Sequence, residues 1–264
     1  MSDRVFNILA ALCLVAVIGV MSWRSMHPAP FAAQGTLTFY YAGNGITPDK
    51  IPADQNPITV GVGSFSYPEN GKTVWTPQGM PPVTIAQRQI NLQFRFDGLP
   101  NDPAATIKQI EAVITDWQHR GDIVNLLIFD YSPAKPDIKA YTALINAANA
   151  HFTREYKASP YAIYPTANPH WTRQTRAAII DGALRGMTPF VIPVPEAKIS
   201  QKLFKQLSGF MFRFILQFPK GVSDADIDLP RLLKLENLYG ITLTLDPQKP
   251  LPQNKDTVGL FPKL

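Results

Sequence analysis

Four carboxylates in this 264-residue chain fall where a strand-like run gives way to a turn. Asp97 follows residues 90–96, Asp130 follows 123–129, Glu196 lies just after 189–194, and Asp246 follows 238–245. If those runs are parallel strands leading into helices, all their C-terminal ends open on one side, and the four carboxylates share it. Arg95 lies two residues before Asp97, where its side chain could point inward. Tyr131, Tyr164, His170 and Trp171 add aromatic and hydrogen-bonding surface to that same side. Paired carboxylates beside aromatic platforms suit glycosidic-bond hydrolysis. One protonates the leaving oxygen, and the other attacks the sugar or activates a water, depending on their separation. Tyr and Trp stack on sugar faces through apolar C–H surface. We read Asp130 as the acid and Glu196 as its carboxylate partner. Arg95, Asp97, Tyr131, Tyr164, Trp171 and Asp246 are read as substrate-binding residues.

Each of these residues also has a structural reading. Asp is common straight after a strand because it suits turns and caps the next helix. That role fits Asp97, followed by Gly98, and Asp246, followed by Pro247. Glu196 suits an ordinary loop, Arg95 an ion pair with a nearby carboxylate, and His170 a helix start. Asp130 is different. It ends the most apolar run of the chain, IVNLLIF, where an ionised group is costly unless it is needed.

Other chemistries find no support. The single cysteine, Cys13, lies in the apolar N-terminal segment, so the rest of the chain has no thiol for a disulfide, a metal or a nucleophile. The four histidines, His27, His119, His151 and His170, form no HxxxH or HExxH pair, and no metal is expected. No GxSxG elbow occurs. No GxGxxG or GxxxxGK[ST] follows a strand, and no cofactor is expected. The net charge of +5 is spread along the chain without a Lys/Arg run, so nucleic acid is not an expected partner.

The elements that must position these residues follow from periodicity. Strand-like runs cover residues 36–42 (TLTFYYA), 58–67 (ITVGVGSFSY), a short 83–86, and 90–96 (INLQFRF). From Asp102 onward the rhythm changes. Asp102-Pro103 starts a helix as N-cap and first position, with Ile107, Ile110, Val113, Ile114 and Trp117 at helical spacing up to Gly121. A nearly continuous apolar strand at 123–129 reads as covered on both faces. A helix follows over 138–157, a strand over 161–164, a helix over 172–184 and a strand over 189–194. The series ends with a helix over 200–207, a strand over 210–218, a helix over 226–236 and a strand over 238–245.

This alternation indicates right-handed βαβ units and a parallel sheet. Six strands from residue 90 onward, with one or two before it, match a (β/α)8 TIM-barrel-like domain of ~250 residues. The first units are expected to be irregular or incomplete, because residues 36–86 read as an irregular β-rich part. A doubly wound open sheet is the alternative.

Residues 5–23 are almost unbroken in apolarity, interrupted only by Asn7, Gly19 and Ser22. At ~1.5 Å per residue this run approaches the ~30 Å hydrocarbon thickness of a bilayer. It is longer than a typical signal h-region, and Trp23-Arg24 closes it like an interfacial anchor. Residues 1–24 are therefore expected to form a signal anchor, a single transmembrane helix through the inner membrane. Residues 25–35 would be a linker and residues 36–264 one periplasmic domain. Cleavage near Ala32-Ala33, with secretion, is the alternative. The 25 prolines sit singly between apolar runs and suit rigid loops around a folded body.

The stretch INLQFRFDGLP, the Trp117-bearing helix, GDIVNLLIFDYSP and the Tyr141-containing KAYTALI together resemble a family of uncharacterised bacterial exported proteins with a glycoside-hydrolase-like barrel. The likeness spans residues 85–245. It is also loosely similar to chitinase-type barrels, in which acidic residues ending the fourth strand carry catalysis. The resemblance implies that Arg95, Asp97 and Asp130 stand at the barrel mouth. The chain departs from the pattern at one point. Where the family has Asp-Tyr-Asp-Ala-Pro, this sequence reads Asp130-Tyr131-Ser132-Pro133, and no residue from 130 to 136 is Glu. The expectation is a membrane-anchored barrel that hydrolyses or recognises an envelope or extracellular glycan. The alternatives are a catalytically inactive barrel acting in binding or assembly at the inner membrane, and an envelope structural protein.

Overall fold

In a computed structural model the described residues are 37–42, 58–68, 72–78, 89–155, 161–168, 189–210, 213–244 and 246. The apolar segment 5–23, the strand expected at 83–86, the helix expected at 172–184, His170 and Trp171 lie outside the described residues. Among the described residues, no helix is long and apolar enough to cross a membrane.

The fold is mixed α/β around one parallel sheet. Its strands are β1 (Leu37–Ala42), β2 (Ile58–Ser66), β3 (Val74–Pro77), β4 (Gln89–Phe96), β5 (Ile123–Asp130), β6 (Ala162–Pro165), β7 (Phe190–Pro193), β8 (Phe214–Phe218) and β9 (Leu238–Thr244). Eight of them follow the order β6-β5-β4-β2-β1-β9-β8-β7, and every pairing along that path is parallel. β3 stands apart, pairing antiparallel with the C-terminal half of β2.

Period-2 alternation sorts each strand's side chains onto two faces. On β4, Ile90, Leu92, Phe94 and Phe96 join the large core that also contains the helix residues. Asn91, Gln93 and Arg95 point the other way. On β5, Val124, Leu127 and Phe129 belong to the large core, whereas Leu126 and Ile128 form a second, smaller cluster with Val191 and Ile215. Tyr164 and Tyr239 pack against this inner cluster.

The sheet curls around the inner cluster. Gln217 on β8 donates from Nε2 to Oε1 of Gln93 on β4 at 3.3 Å, although β2, β1 and β9 separate those strands along the path. On a flat sheet four strand spacings of ~4.8 Å would hold them about 19 Å apart. At the two ends of the path, β6 and β7 meet through the isolated parallel bridge Thr166–Val191, where the Ala167 N–H donates to Val191 O at 2.9 Å. The thin seam thus falls between β6 and β7. The first strands, expected to be irregular, pair in register, apart from a shift in β2 between Gly61 and Gly63.

Helices cover the outer face. The N-cap of α1 (Pro103–His119) is Asp102, whose carboxylate accepts from the Ala104 N–H at 3.0 Å, and Pro103 takes the first turn. Ile107, Ile110, Ile114 and Trp117 are buried against the sheet at helical spacing, each contributing roughly 1.5–3 kcal/mol by leaving water. α2 (Ile138–Glu155) buries Tyr141, Leu144, Ile145, Ala148 and Phe152. Ser200 caps α3 (Gln201–Ser208), and Asp228 caps the short α4 (Leu229–Leu232).

Three elements differ from the periodicity reading. The helix expected over 226–236 shrinks to a 3-10 turn at Asp224–Asp226 followed by α4. Local caps interrupt it: the Asp226 carboxylate accepts from the Ser223 N–H at 2.9 Å, and Asp228 from the Arg231 N–H at 3.1 Å. The strand expected over 210–218 begins only at Phe214, because the Phe210 N–H turns back to Leu207 O at 3.0 Å and closes α3. The third is β3, which has no apolar alternation to announce it. It is fixed by Trp75, whose ring centroid lies 4.6 Å from that of Phe65. The Trp75 ring crosses so close to Gly63 that a Cβ there would lie 2.5 Å from it.

One helix residue locks two strands. The Tyr141 hydroxyl accepts from the Thr166 N–H at 2.9 Å and donates to Phe129 O at 2.7 Å, inside the β5–β6 boundary. Tyr141 is fully buried, and burial pushes its phenol far above the ordinary value. Tyr141→Phe removes both bonds without opening a large cavity. It is expected to cost about 1–3 kcal/mol, read as a lower denaturation midpoint at unchanged slope. A midpoint equal to wild type would show that the hydroxyl does not hold the strands.

Candidate functional site

Asp130 is the last residue of β5, on the same face as Leu126 and Ile128, so its side chain enters the inner space above the apolar cluster. Its Oδ2 accepts from Gln93 Nε2 at 3.1 Å. The Thr166 hydroxyl also bonds the Asp130 carboxyl, while Thr166 Oγ1 accepts from the Tyr131 N–H at 2.8 Å. Burial raises the Asp130 carboxyl above the usual carboxylate value. The Gln93 amide, the Arg95 guanidinium and the Thr166 hydroxyl pull it down, and the nearby Asp97 charge adds to the rise. Desolvation is the largest cause, so the environment favours a protonated carboxyl more than water does.

The polar layer extends beyond Asp130. Gln93 passes its own acceptor to Gln217 on the opposite wall, and Asn91 Nδ2 donates to Thr59 Oγ1 at 3.3 Å. Thr59, Asn91, Gln93 and Thr242 are all buried. One level deeper, level with Ile128, Tyr164 packs against the inner cluster. Burial and the neighbouring Tyr239 push its phenol up to about 12, with Arg213 opposing. The Arg213 guanidinium carbon lies 5.6 Å from the centre of the Tyr239 ring.

The remaining candidates are placed less centrally. Arg95 is aligned with Asp130 across the β4–β5 pair, yet its Nε bonds Asp97 Oδ1 at 2.9 Å on an exposed rim. The backbone N–H of Asp97 donates to Phe65 O at 2.9 Å. Tyr131 turns to the outer face. Its ring centroid is 5.1 Å from that of Tyr141, and its hydroxyl accepts from the N–H of Asp137, whose carboxylate bonds the Ala140 N–H at the start of α2. A strand's alternation requires this, since Asp130 points inward. Glu196 is exposed on the loop after β7, and the hydrogen bonds of Asp130 run to Gln93 and Thr166, not to it. Asp246 lies 3.5 Å from Lys220 Nζ. Trp171, with His170, lies outside the described residues. Among the described residues, no group of three or more His, Cys, Asp or Glu is placed to hold a metal.

Gln93, Gln217 and Thr166 were not among the residues singled out from sequence. The signal for the first was present in QINLQFRF, where Asn91, Gln93 and Arg95 alternate with residues destined for the core. A strand with apolar residues on one face and amides on the other, lying between other strands, points to a polar interior.

Burial of Asp130 has a measurable consequence. With its folded value raised, the carboxyl favours the folded state at low pH, and that contribution is lost as pH rises through the folded value. Asp130→Asn removes the half-buried charge while keeping the shape. The variant is expected to be more stable than wild type at pH 7 by roughly 0.5–2 kcal/mol. The gap should close as pH falls below the ordinary Asp range. Thermal melts across pH check this, and a variant no more stable at pH 7 would contradict it.

No protein-family profile matches the sequence, and no curated protein matches it either. Solved structures that resemble the chain in shape include the following three. The YdhT protein from Bacillus subtilis shares 11% identity over 81% of each chain, with a TM-score of 0.47. Bacillus subtilis mannanase BCman shares 11% identity over 84% of this chain and 83% of its own, with a TM-score of 0.45. Oxaloacetate acetylhydrolase in complex with the product oxalate shares 10% identity over 80% of this chain and 75% of its own, with a TM-score of 0.45. Similarity at this level is weak and assigns no activity to this chain.

Proposed function

We propose that this chain is a (β/α)8-type barrel, closed at the Thr166–Val191 bridge, that hydrolyses an envelope or extracellular glycan with Asp130 as proton donor. Residues 5–23 tether it to the inner membrane and place residues 36–264 in the periplasm, reached through the linker at 25–35. The observation that carries this reading is Asp130 itself. It is a carboxyl at the C-terminal end of β5, where burial favours the protonated form that a general acid needs. The amides of Gln93 and Gln217 line the same space and are the kind of group that bonds sugar hydroxyls. Glu196 is the second carboxylate of this mechanism.

A second reading has its own observation. Among the described residues, Asp97 is turned to Arg95 and Glu196 is exposed, so neither is set against Asp130. A lone carboxyl among amides binds a glycan without cleaving it, and the chain is then a silent binding or assembly component at the inner membrane.

One experiment separates the two. The purified full-length chain and Asp130→Asn are incubated with a panel of envelope and extracellular glycans, and both binding and new reducing ends are measured. A hydrolase loses roughly 10²–10⁴-fold in rate in the variant while binding changes little. Binding without cleavage by wild type selects the silent barrel. Full cleavage by Asp130→Asn removes the acid role, and no binding to any glycan removes both readings.

A further inference from the structure

The side-chain bonds in the inner space have a direction. Gln217 donates from Nε2 to Gln93 Oε1, and Gln93 donates from Nε2 to Asp130 Oδ2. Both amides therefore aim their N–H ends at the carboxyl, from β8 on one wall, through β4, to β5 on the other. An amide carries its donor and acceptor on opposite sides of one carbon, so the bond made on one side fixes what the other side offers. While Gln217 occupies Oε1, Gln93 can present only N–H to Asp130. Without Gln217, the Gln93 amide is free to turn its oxygen toward Asp130, which then has to supply the proton.

We infer that Gln93 and Gln217 are positioning residues, a two-amide relay through which the β8 wall sets the orientation and charge state of Asp130 without touching it. The inference rests on the proposed acid role of Asp130 for its catalytic meaning, although the relay itself is read independently of activity. The other groups facing the carboxyl are Arg95 and Asp97 from the β4 end, Thr166 after β6, and Tyr141 from α2. Of these, Arg95 is held on the rim by Asp97, and Thr166 is fixed by the Tyr131 and Tyr141 bonds. Gln93 is thus the donor whose orientation depends on a residue from across the sheet. Chains of this kind also polarise one another, strengthening each bond by about 10–30%.

The test is a titration of Asp130 in the full-length chain carrying 13C-labelled aspartate side chains, with Asp130→Asn used to assign the signal. Gln93→Met and Gln217→Met remove the amides at similar volume. Both are expected to move the Asp130 midpoint upward, Gln93→Met by more. In the Gln93→Met background, Gln217→Met should add no further shift, because its effect travels only through Gln93. If Gln217→Met does not fold, Gln217→Asn keeps a polar group but is one methylene too short to reach, and the same upward shift is expected. An unmoved midpoint in the Gln217 variant overturns the relay, as does an equal shift with and without Gln93. Failure of glycan hydrolysis would overturn the acid role while leaving this titration intact, so the two failures are distinguishable.

Discussion

A parallel sheet has two faces to cover, and among the described residues the helices cover one. The other face covers itself by curling, until a glutamine on β8 meets a glutamine on β4 four strands away along the path. That contact and the Thr166–Val191 bridge bring distant parts of the sheet face together around the inner cluster. The lower part of the space is filled by Leu126, Ile128, Val191 and Ile215 with the Tyr164 and Tyr239 rings. The upper part holds amides, a threonine hydroxyl and one carboxyl. Desolvation is tolerable for the amides because each bonded atom satisfies another, whereas unpaired they would cost more than apolar side chains.

Asp130 is where fold and chemistry conflict most. Its position buries a group that water would ionise, and the surroundings compensate only in part, with Gln93, Thr166 and the more distant Arg95. A residue chosen for stability alone would be apolar or an asparagine there. That a carboxyl stands there despite this cost is the observation on which the proposed acid role rests. Tyr141 shows the complementary case. Its hydroxyl is fully buried but is satisfied by two backbone groups, and its role is to hold β5 and β6 together beside the carboxyl.

Much of this was legible from residues alone, and the limits have physical causes. Strands β4, β5 and β9 and helices α1 and α2 announce themselves because their apolar periods are strong and their caps, such as Asp102-Pro103, are explicit. Asp130 could be singled out because a carboxylate ending an apolar strand is costly. Its partners could not, because Gln217 reaches Gln93 across 124 positions of sequence and only the curl of the sheet brings them together. Tyr131 misled for a simpler reason. Adjacent residues on a strand face opposite sides, so a tyrosine next to an inward aspartate belongs to the outer core. β3 was invisible because Trp75, rather than a pattern, holds it in place.

The curl and the polar interior stand or fall together on the Gln217–Gln93 contact. The most direct measurement is a nuclear Overhauser experiment on the full-length chain with side-chain amides assigned. A cross-peak between the Gln217 and Gln93 amide protons, alongside one from Gln93 to the Asp130 methylene, is the predicted result. Its absence, with cross-peaks between paired neighbours such as Asn91 and Thr59 present, would mean that the opposite walls do not meet and that Asp130 faces no enclosed interior.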